Sequence, residues 1–167
     1  VTELQERWDR LAYWIGPCLG AEGAVTISDC GVPDGIGYSA ETLLFTANVP
    51  TASGDHAQRL VLRGETPDPA VYPAQVDGID VEIEIQHRIM STLAEVTGIP
   101  VAPIIGADLT DEAIGTPFFV MEFVDGVVPP VDPPYPAAGF FAEATPEQRH
   151  TMVANGLQVM ADVHAVD

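Results

Sequence analysis

The sequence contains no lysine. Its 167 residues carry six basic side chains, all arginines, against 25 acidic ones, so the formal net charge is −19. A surface this acidic repels phosphate backbones and anionic lipids, which argues against nucleic acid and membrane surfaces as partners. Two interpretations of the charge stay open: it keeps the chain soluble, or it attracts cationic small molecules.

Cysteines and long apolar runs are also scarce. Cys18 and Cys30 are the only cysteines, with no C-x-x-C spacing. We predict two reduced, structural thiols, although a single bridge stays open. No apolar run reaches 18 residues, so no membrane-spanning helix is predicted. Because the N-terminus carries Glu3, Glu6 and Asp9, it is not typical of a secretory signal, and we expect a cytoplasmic protein.

The apolar content of 47% is sufficient for a folded core in one domain or slightly more. Apolar residues at helical spacing predict helices over 3–15, 79–97 and 146–164. Alternating or continuous apolar runs predict strands over 25–28, 42–49, 58–63, 99–105 and 118–124, with the proline-interrupted 99–105 at a sheet edge. Strands that follow one another with one inserted helix favour an α+β fold, with a mainly antiparallel sheet of about five strands and helices packed on it.

Proline marks the predicted boundary between two parts of the chain. Residues 125–136 contain five prolines and read as a stiff linker, so we expect one domain over 1–126 and a second part over 127–167. Each of the two later helices has an apolar side that we expect to be buried. These sides are Ile83, His87, Ile89, Met90, Leu93 and Val96 in the first and Met152, Val153, Leu157, Met160 and Ala161 in the second.

Two features of the first domain are suited to a phosphate ligand. Gly35 and Gly37 can adopt positive φ, which lets backbone N–H groups approach phosphates, although an ordinary turn is the simpler reading. Arg63 ends a strand among apolar residues, and a guanidinium can hold phosphate through two hydrogen bonds, although a surface arginine is the alternative. Asp162 and His164 alone do not make a metal site.

These segments, taken in order, resemble a known family. Gly37, Ser39 and Thr42 follow a Gly-x-Ser-x-x-Thr pattern, the next strand ends in Leu-Arg at Arg63, and 115–126 reads GTPFFVMEFVDG. Together they resemble the nucleotide-binding lobe of the aminoglycoside phosphotransferase-like branch of the kinase-like superfamily. The likeness covers nearly the whole chain, but only about the first half of such an enzyme.

The resemblance implies a protein-kinase-like N-lobe followed by a linker and the first helix of a second lobe. It implies that ATP is held by Gly35, Gly37, Tyr38, Ser39, Thr42, Arg63, Gln86, Met121, Glu122, Phe123 and Val124. Val61, Ile104 and Met121 would line the adenine site. Gln86 stands where the family has a glutamate that orients the cation, with Glu84 as the alternative partner of Arg63.

The activity implied by the resemblance is transfer of the γ-phosphoryl group of ATP to a hydroxyl of a small molecule, with Mg²⁺ on the phosphates. The catalytic and magnesium-binding residues are expected outside this chain, so we expect no turnover by the chain alone. Two alternatives remain: a non-catalytic nucleotide- or protein-binding module of kinase-like fold, and an acidic α+β domain without a ligand site. Whether it forms a homo-oligomer is left open.

Overall fold

A computed structural model of the chain describes residues 3–33, 40–66, 82–96, 98–129 and 132–166. The helices are α1 (Glu3–Cys18), α2 (Glu82–Glu95), α3 (Phe140–Glu143) and α4 (Pro146–His164). The strands are β1 (Thr26–Gly31), β2 (Glu41–Val49), β3 (His56–Gly64), β4 (Ile104–Asp108) and β5 (Phe118–Glu122). Contacts divide the chain into two units, one of Val1–Thr92 with Val101–Phe123 and one of Leu93–Pro100 with Val124–Asp167.

The first unit is built on a five-stranded sheet in the order β1-β2-β3-β5-β4, and every neighbouring pair is antiparallel. The central hairpin of β2 and β3 pairs without interruption from Glu41 opposite Gly64 to Val49 opposite His56. Gly54, at φ 115°, closes its turn in a conformation that side chains rarely adopt. The sheet confirms the predicted α+β class with five antiparallel strands.

Apolar side chains cover both faces of this sheet. Because successive residues of a strand point to opposite faces, Phe118 belongs to one buried cluster and Phe119 to the other. The larger cluster lies under α1, whose Trp14 ring meets the Phe118 ring edge-on at 4.7 Å. The smaller cluster contains Phe119 and Ile83 of α2. The side of the sheet that carries α2 is called the α2 face below.

The bounds of β4 and α1 differ from the prediction in ways that their prolines explain or limit. β4 begins at Ile104 rather than at residue 99, because Pro100 and Pro103 cannot donate backbone hydrogen bonds to a neighbouring strand. It does lie at a sheet edge, as expected. α1 continues past the predicted stop at Gly16-Pro17 to Cys18.

The second unit contains α4, whose predicted start is confirmed. The Thr145 hydroxyl accepts from the Gln148 N–H at 3.3 Å, and the Gln148 side chain accepts from the Thr145 N–H at 2.9 Å. This reciprocal pair is a capping box, with Pro146 at the first helical position.

The predicted burial of α4 is wrong. None of its residues is buried, and Val153, Leu157 and Met160 are each at least half exposed. Met152 of the predicted side is half-buried, and the other half-buried apolar residues of the helix are Val159 and Val163, outside that side. Since apolar residues lie on more than one side, the spacing does not identify the packed face.

The predicted burial of α2 is correct only in part. Ile83 is fully buried, but Ile89 is 54% exposed, and Met90 packs only partly buried against the Phe119 cluster. Cys18 and Cys30 are free, as predicted, and both are exposed, so no bridge joins them. Within the described ranges, no helix combines the length and apolarity that a bilayer crossing requires.

Candidate functional site

The site centres on Arg63, which the hairpin places on the α2 face of the sheet. Register sets Arg63 of β3 directly opposite Thr42 of β2. The guanidinium Nη1 donates to the Thr42 hydroxyl at 2.5 Å, and Nη2 donates to the Gln86 side-chain oxygen at 3.0 Å. The predicted contact of Arg63 with Gln86 is therefore present, and it joins the sheet to α2.

Burial changes the electrostatics of Arg63. The side chain is half-buried, and loss of water lowers the pKa of its guanidinium, while the negative charge of nearby Glu82 raises it. A guanidinium keeps its charge in proteins even so. Thr42 and Gln86 are both neutral acceptors, so their hydrogen bonds hold the cation without adding a negative charge to it.

Glu82 extends this group, and it was missed by the sequence prediction. The Gln86 Nε2 donates to Glu82 Oε1 at 3.1 Å, so Thr42, Arg63, Gln86 and Glu82 form one chain of hydrogen bonds. The second Glu82 oxygen is buried and has no hydrogen-bond partner within the described part of the chain. Glu84, the other predicted partner of Arg63, instead pairs with Arg88 at 2.9 Å.

An apolar row lies next to Arg63 on the same face. Leu44, Val61, Met121 and Ile104 stand side by side on β2, β3, β5 and β4 through their pairing register. Val61 is 8% exposed and the other three are half-buried. Three of these four were predicted to line an adenine site. Leu44 was missed because its place beside Val61 follows only from the register of the hairpin.

Two of the predicted ATP-binding residues at the end of β5 already use their backbone N–H groups within the chain. The Glu122 N–H donates to the Pro103 carbonyl at 2.9 Å, and the Phe123 N–H donates to the Arg59 carbonyl at 3.1 Å. The Arg59 guanidinium also lies 3.7 Å from the centre of the Phe123 ring, a cation–π contact. Val124 is 64% exposed and belongs to the second unit.

Four predicted site residues cannot be placed. Gly35, Gly37, Tyr38 and Ser39, the predicted phosphate loop, lie outside the described residues. Thr42, which follows them, is described and faces Arg63.

The first unit has an open cleft, but the charge of its walls does not suit a phosphate ligand. This cleft has a volume of about 1080 Å³ and lies beside the first residues of β2 and the residues just before β5. Thr42 lines it, but Arg63 does not. Among the described residues, its walls carry four carboxylates, those of Glu3, Glu41, Glu65 and Asp111, and one guanidinium, that of Arg7. Arg7 is itself paired with Glu41. A cleft with this charge repels phosphate, so the surroundings of Arg63 are the better candidate for a phosphate site.

The described residues do not fit a magnesium site. Across these ranges, no group of three or more histidine, cysteine, aspartate or glutamate side chains could hold a metal ion. Asp162, considered with His164 above, accepts a hydrogen bond from Gln158 at 2.8 Å. The placement of magnesium ligands outside this chain stays a prediction.

Comparison with known proteins does not support the expected family. No family model matches the chain. Over 133 residues, 80% of this chain, it is 26% identical to a protein of Arabidopsis thaliana named probable acyl-CoA dehydrogenase IBR3. The matched region is only 14% of that protein, so the chain spans a small part of its relative.

The assignment to the aminoglycoside phosphotransferase-like family is therefore wrong. The motifs behind it were short, and the sheet accounts for two of them without a family. The apolar run 118–122 is a strand covered on both faces, and Arg63 is the next-to-last residue of the strand beside it.

Proposed function

We propose that the α2 face of the sheet binds an adenine nucleotide, with ATP as the first candidate. Its phosphates would lie against Arg63 and its base against the apolar row of Leu44, Val61, Met121 and Ile104. The observation that carries this proposal is the half-buried guanidinium of Arg63, held in place by the neutral acceptors Thr42 and Gln86.

Charge is the first argument for a phosphate ligand at Arg63. The chain carries 25 acidic residues and six arginines, so most of its surface repels anions. A guanidinium at a partly desolvated position attracts a phosphate more strongly than one in bulk water, because screening is weaker there. Its fixed donors also match phosphate oxygens in geometry. Of the two arginines on β3, Arg59 is exposed and Arg63 is half-buried, so an anion is expected to bind more strongly at Arg63.

Spacing is the second argument. Val61 lies two residues before Arg63 on β3, and two strand residues span about 6.6 Å. Arg59 and the Phe123 ring lie a further two residues along, so the face runs from a cation through an apolar row to an aromatic ring. An extended nucleotide has the same order of chemistry, from phosphates to an apolar, stackable base.

Phosphoryl transfer to a small-molecule hydroxyl is part of the same proposal. Such transfer depends on groups that position the phosphates and the acceptor, and on metal ions that neutralise charge. Arg63 and the apolar row support the nucleotide-binding part of this proposal, and no group of described residues fits a metal ion. We propose that this chain contributes nucleotide binding, and the groups that carry out the transfer are expected outside it.

Coenzyme A is a second candidate ligand. The relative in Arabidopsis thaliana is named a probable acyl-CoA dehydrogenase. Coenzyme A contains an adenine nucleotide with several phosphates, so the features that suit ATP also suit it. The two candidates differ in what lies beyond the phosphates.

Calorimetric titration of the chain with ATP, coenzyme A, adenosine and inorganic tripolyphosphate tests the proposal. Arg63→Gln should weaken the binding of every phosphate-bearing ligand by about tenfold or more, since hydrogen bonds to charged groups contribute about 1.5–3 kcal/mol. Arg88→Gln is the matched control, because Arg88 is exposed and pairs only with its helix neighbour among the described contacts. Equal losses in both variants, or no saturable binding by the unaltered chain, would contradict the proposal.

A further inference from the structure

The hydrogen bonds around Gln86 run in one direction. A carboxylate can only accept, so Glu82 must receive its hydrogen bond from the Gln86 amide nitrogen, which it does at 3.1 Å. The oxygen of the same amide then points away from Glu82 and towards Arg63, where it accepts from Nη2 at 3.0 Å. The orientation of Gln86 is therefore imposed by Glu82 on one side and used by Arg63 on the other.

Without the carboxylate at 82, only Arg63 favours this orientation of the Gln86 amide, because an amide at position 82 can meet Gln86 with either its oxygen or its NH₂ group. A glutamine side chain has an oxygen and an NH₂ of nearly equal size, and rotation by half a turn exchanges them. The exchanged state would place NH₂ donors against the guanidinium, which has only donors. Arg63 would then lose its anchor on α2 and retain the one on Thr42 of the neighbouring strand.

From this geometry we infer that Glu82 is a positioning residue for Arg63, acting through Gln86 and not by direct contact. The inference rests on the proposed nucleotide site, and it names a residue that fixes the geometry of that site. Glu82 holds the amide, the amide holds the guanidinium, and the guanidinium is presented to the phosphates.

The simplest alternative is that Glu82 only stabilises the start of α2, because acidic side chains stabilise the first turn of a helix. The structure already meets part of that need elsewhere: Glu65 accepts from the Ile83 N–H at 2.9 Å, as a helix cap would. Glu84 lies in the same first turn and carries the same charge, but its partner is Arg88 and not Gln86. Glu84 therefore serves as a control for the helix effect.

The direction in which ATP affinity changes when Glu82 is replaced distinguishes a positioning role from simple charge repulsion. Removing a negative charge near an anion site should tighten binding if only long-range electrostatics acts. Glu82→Gln should instead weaken ATP binding, by about tenfold if Arg63 loses an ordered charged hydrogen bond. Glu84→Gln should leave the dissociation constant within about twofold.

A double-mutant cycle between Glu82→Gln and Gln86→Leu tests whether the effect passes through Gln86. If it does, Glu82→Gln causes no further loss of ATP affinity in the Gln86→Leu background. A full additional loss in that background, a tightening on Glu82→Gln, or an equal loss on Glu84→Gln would each overturn the inference.

A ligand-free measurement keeps this inference separate from the proposed function. The side-chain NH₂ resonances of Gln86 in ¹⁵N NMR spectra should show slow solvent exchange in the unaltered chain and in Glu84→Gln, and fast exchange in Glu82→Gln. If the unaltered chain binds no ATP but this pattern holds, the proposed function fails while the positioning of Gln86 stands. Exchange at Gln86 that is unaffected by Glu82→Gln would overturn the positioning role itself.

Discussion

Thr42 and Arg63 face each other across the β2–β3 ladder, and the threonine hydroxyl accepts from the guanidinium at 2.5 Å. The hydroxyl belongs to the strand that follows the predicted glycine-rich turn, so it ties the cation to the same hairpin that would hold a phosphate. Together with Gln86, it fixes two of the five N–H donors of the arginine on neutral groups.

Replacing Thr42 tests the strand side of this arrangement. Thr42→Val keeps the β-branched shape but removes the acceptor, so we expect ATP affinity to fall by several-fold, in line with a single hydrogen bond to a charged group. Thr42→Ser keeps the hydroxyl and should stay within about twofold of the unaltered chain. Isothermal titration of the three proteins measures the difference, and equal affinities of Val and Ser variants would remove Thr42 from the site.

Replacing Phe118 tests the core between α1 and the sheet. Its ring is fully buried and meets Trp14, so Phe118→Ala should lower the free energy of unfolding by about 3–5 kcal/mol. Tyr13→Ala is the matched control, because Tyr13 is 89% exposed on α1 and should change stability by less than about 0.5 kcal/mol. Both tryptophans lie in α1, so their fluorescence during urea unfolding reports on this unit.

Asp108 gives the chain a defined acid sensitivity. Burial alone would raise the pKa of its carboxyl, but hydrogen bonds from the Thr110 hydroxyl and from the Thr110 and Ala113 N–H groups lower the pKa overall. Because the pKa of this carboxyl is lower in the folded than in the unfolded state, its ionisation stabilises the fold at pH values above the ordinary pKa of about 3.9. That contribution is lost as the pH falls through the lower, folded value.

The comparison that isolates this contribution is Asp108→Asn against the unaltered chain. We expect the variant to be less stable at pH 7 and the difference to shrink as the pH falls below about 4, where the aspartate becomes protonated and resembles asparagine. Urea midpoints at pH 7, 5 and 3 measure it. A difference that stays constant over this range would contradict the assigned hydrogen bonds.

The capping box of α4 is open to a similar test in the second unit. Thr145→Ala removes the acceptor for the Gln148 N–H and should cost about 1 kcal/mol of local helix stability. Amide hydrogen exchange at Gln148 and Arg149 should quicken in that variant. Thr145→Ser should preserve slow exchange, and quickening in both variants would show that the hydroxyl is not the cap.

The sequence predicted local structure where one signal was sufficient. Alternation and β-branched residues located the β2–β3 hairpin, and Thr145-Pro146 located the start of α4. The prediction failed where tertiary packing decides which side of a helix is buried. The predicted buried side of α4 is exposed, because apolar residues occur on more than one side of that helix and spacing alone does not choose between them.

In the candidate site, too, some contacts were predicted and others depend on three-dimensional packing. The pairing of Arg63 with Gln86 was implied by the family resemblance, and the structure places the Arg63 Nη2 3.0 Å from the Gln86 side-chain oxygen although the family assignment is wrong. Glu82 could not be found, because its role depends on which way the Gln86 amide points, and that is fixed only by three-dimensional contact. Leu44 joins the apolar row through strand register, which spacing along one strand does not reveal.

Methyl NMR during an ATP titration tests the central claim most directly, because neighbouring residues of β3 point to opposite faces of the sheet. Val61 lies in the apolar row of the α2 face, whereas Leu60 and Leu62 are fully buried in the cluster under α1. Binding as proposed predicts saturable shifts of the Val61, Leu44 and Met121 methyl signals, while those of Leu60 and Leu62 stay in place. Shifts confined to Leu60 and Leu62, or no shift of Val61 and Met121 at saturating ATP, would contradict the account.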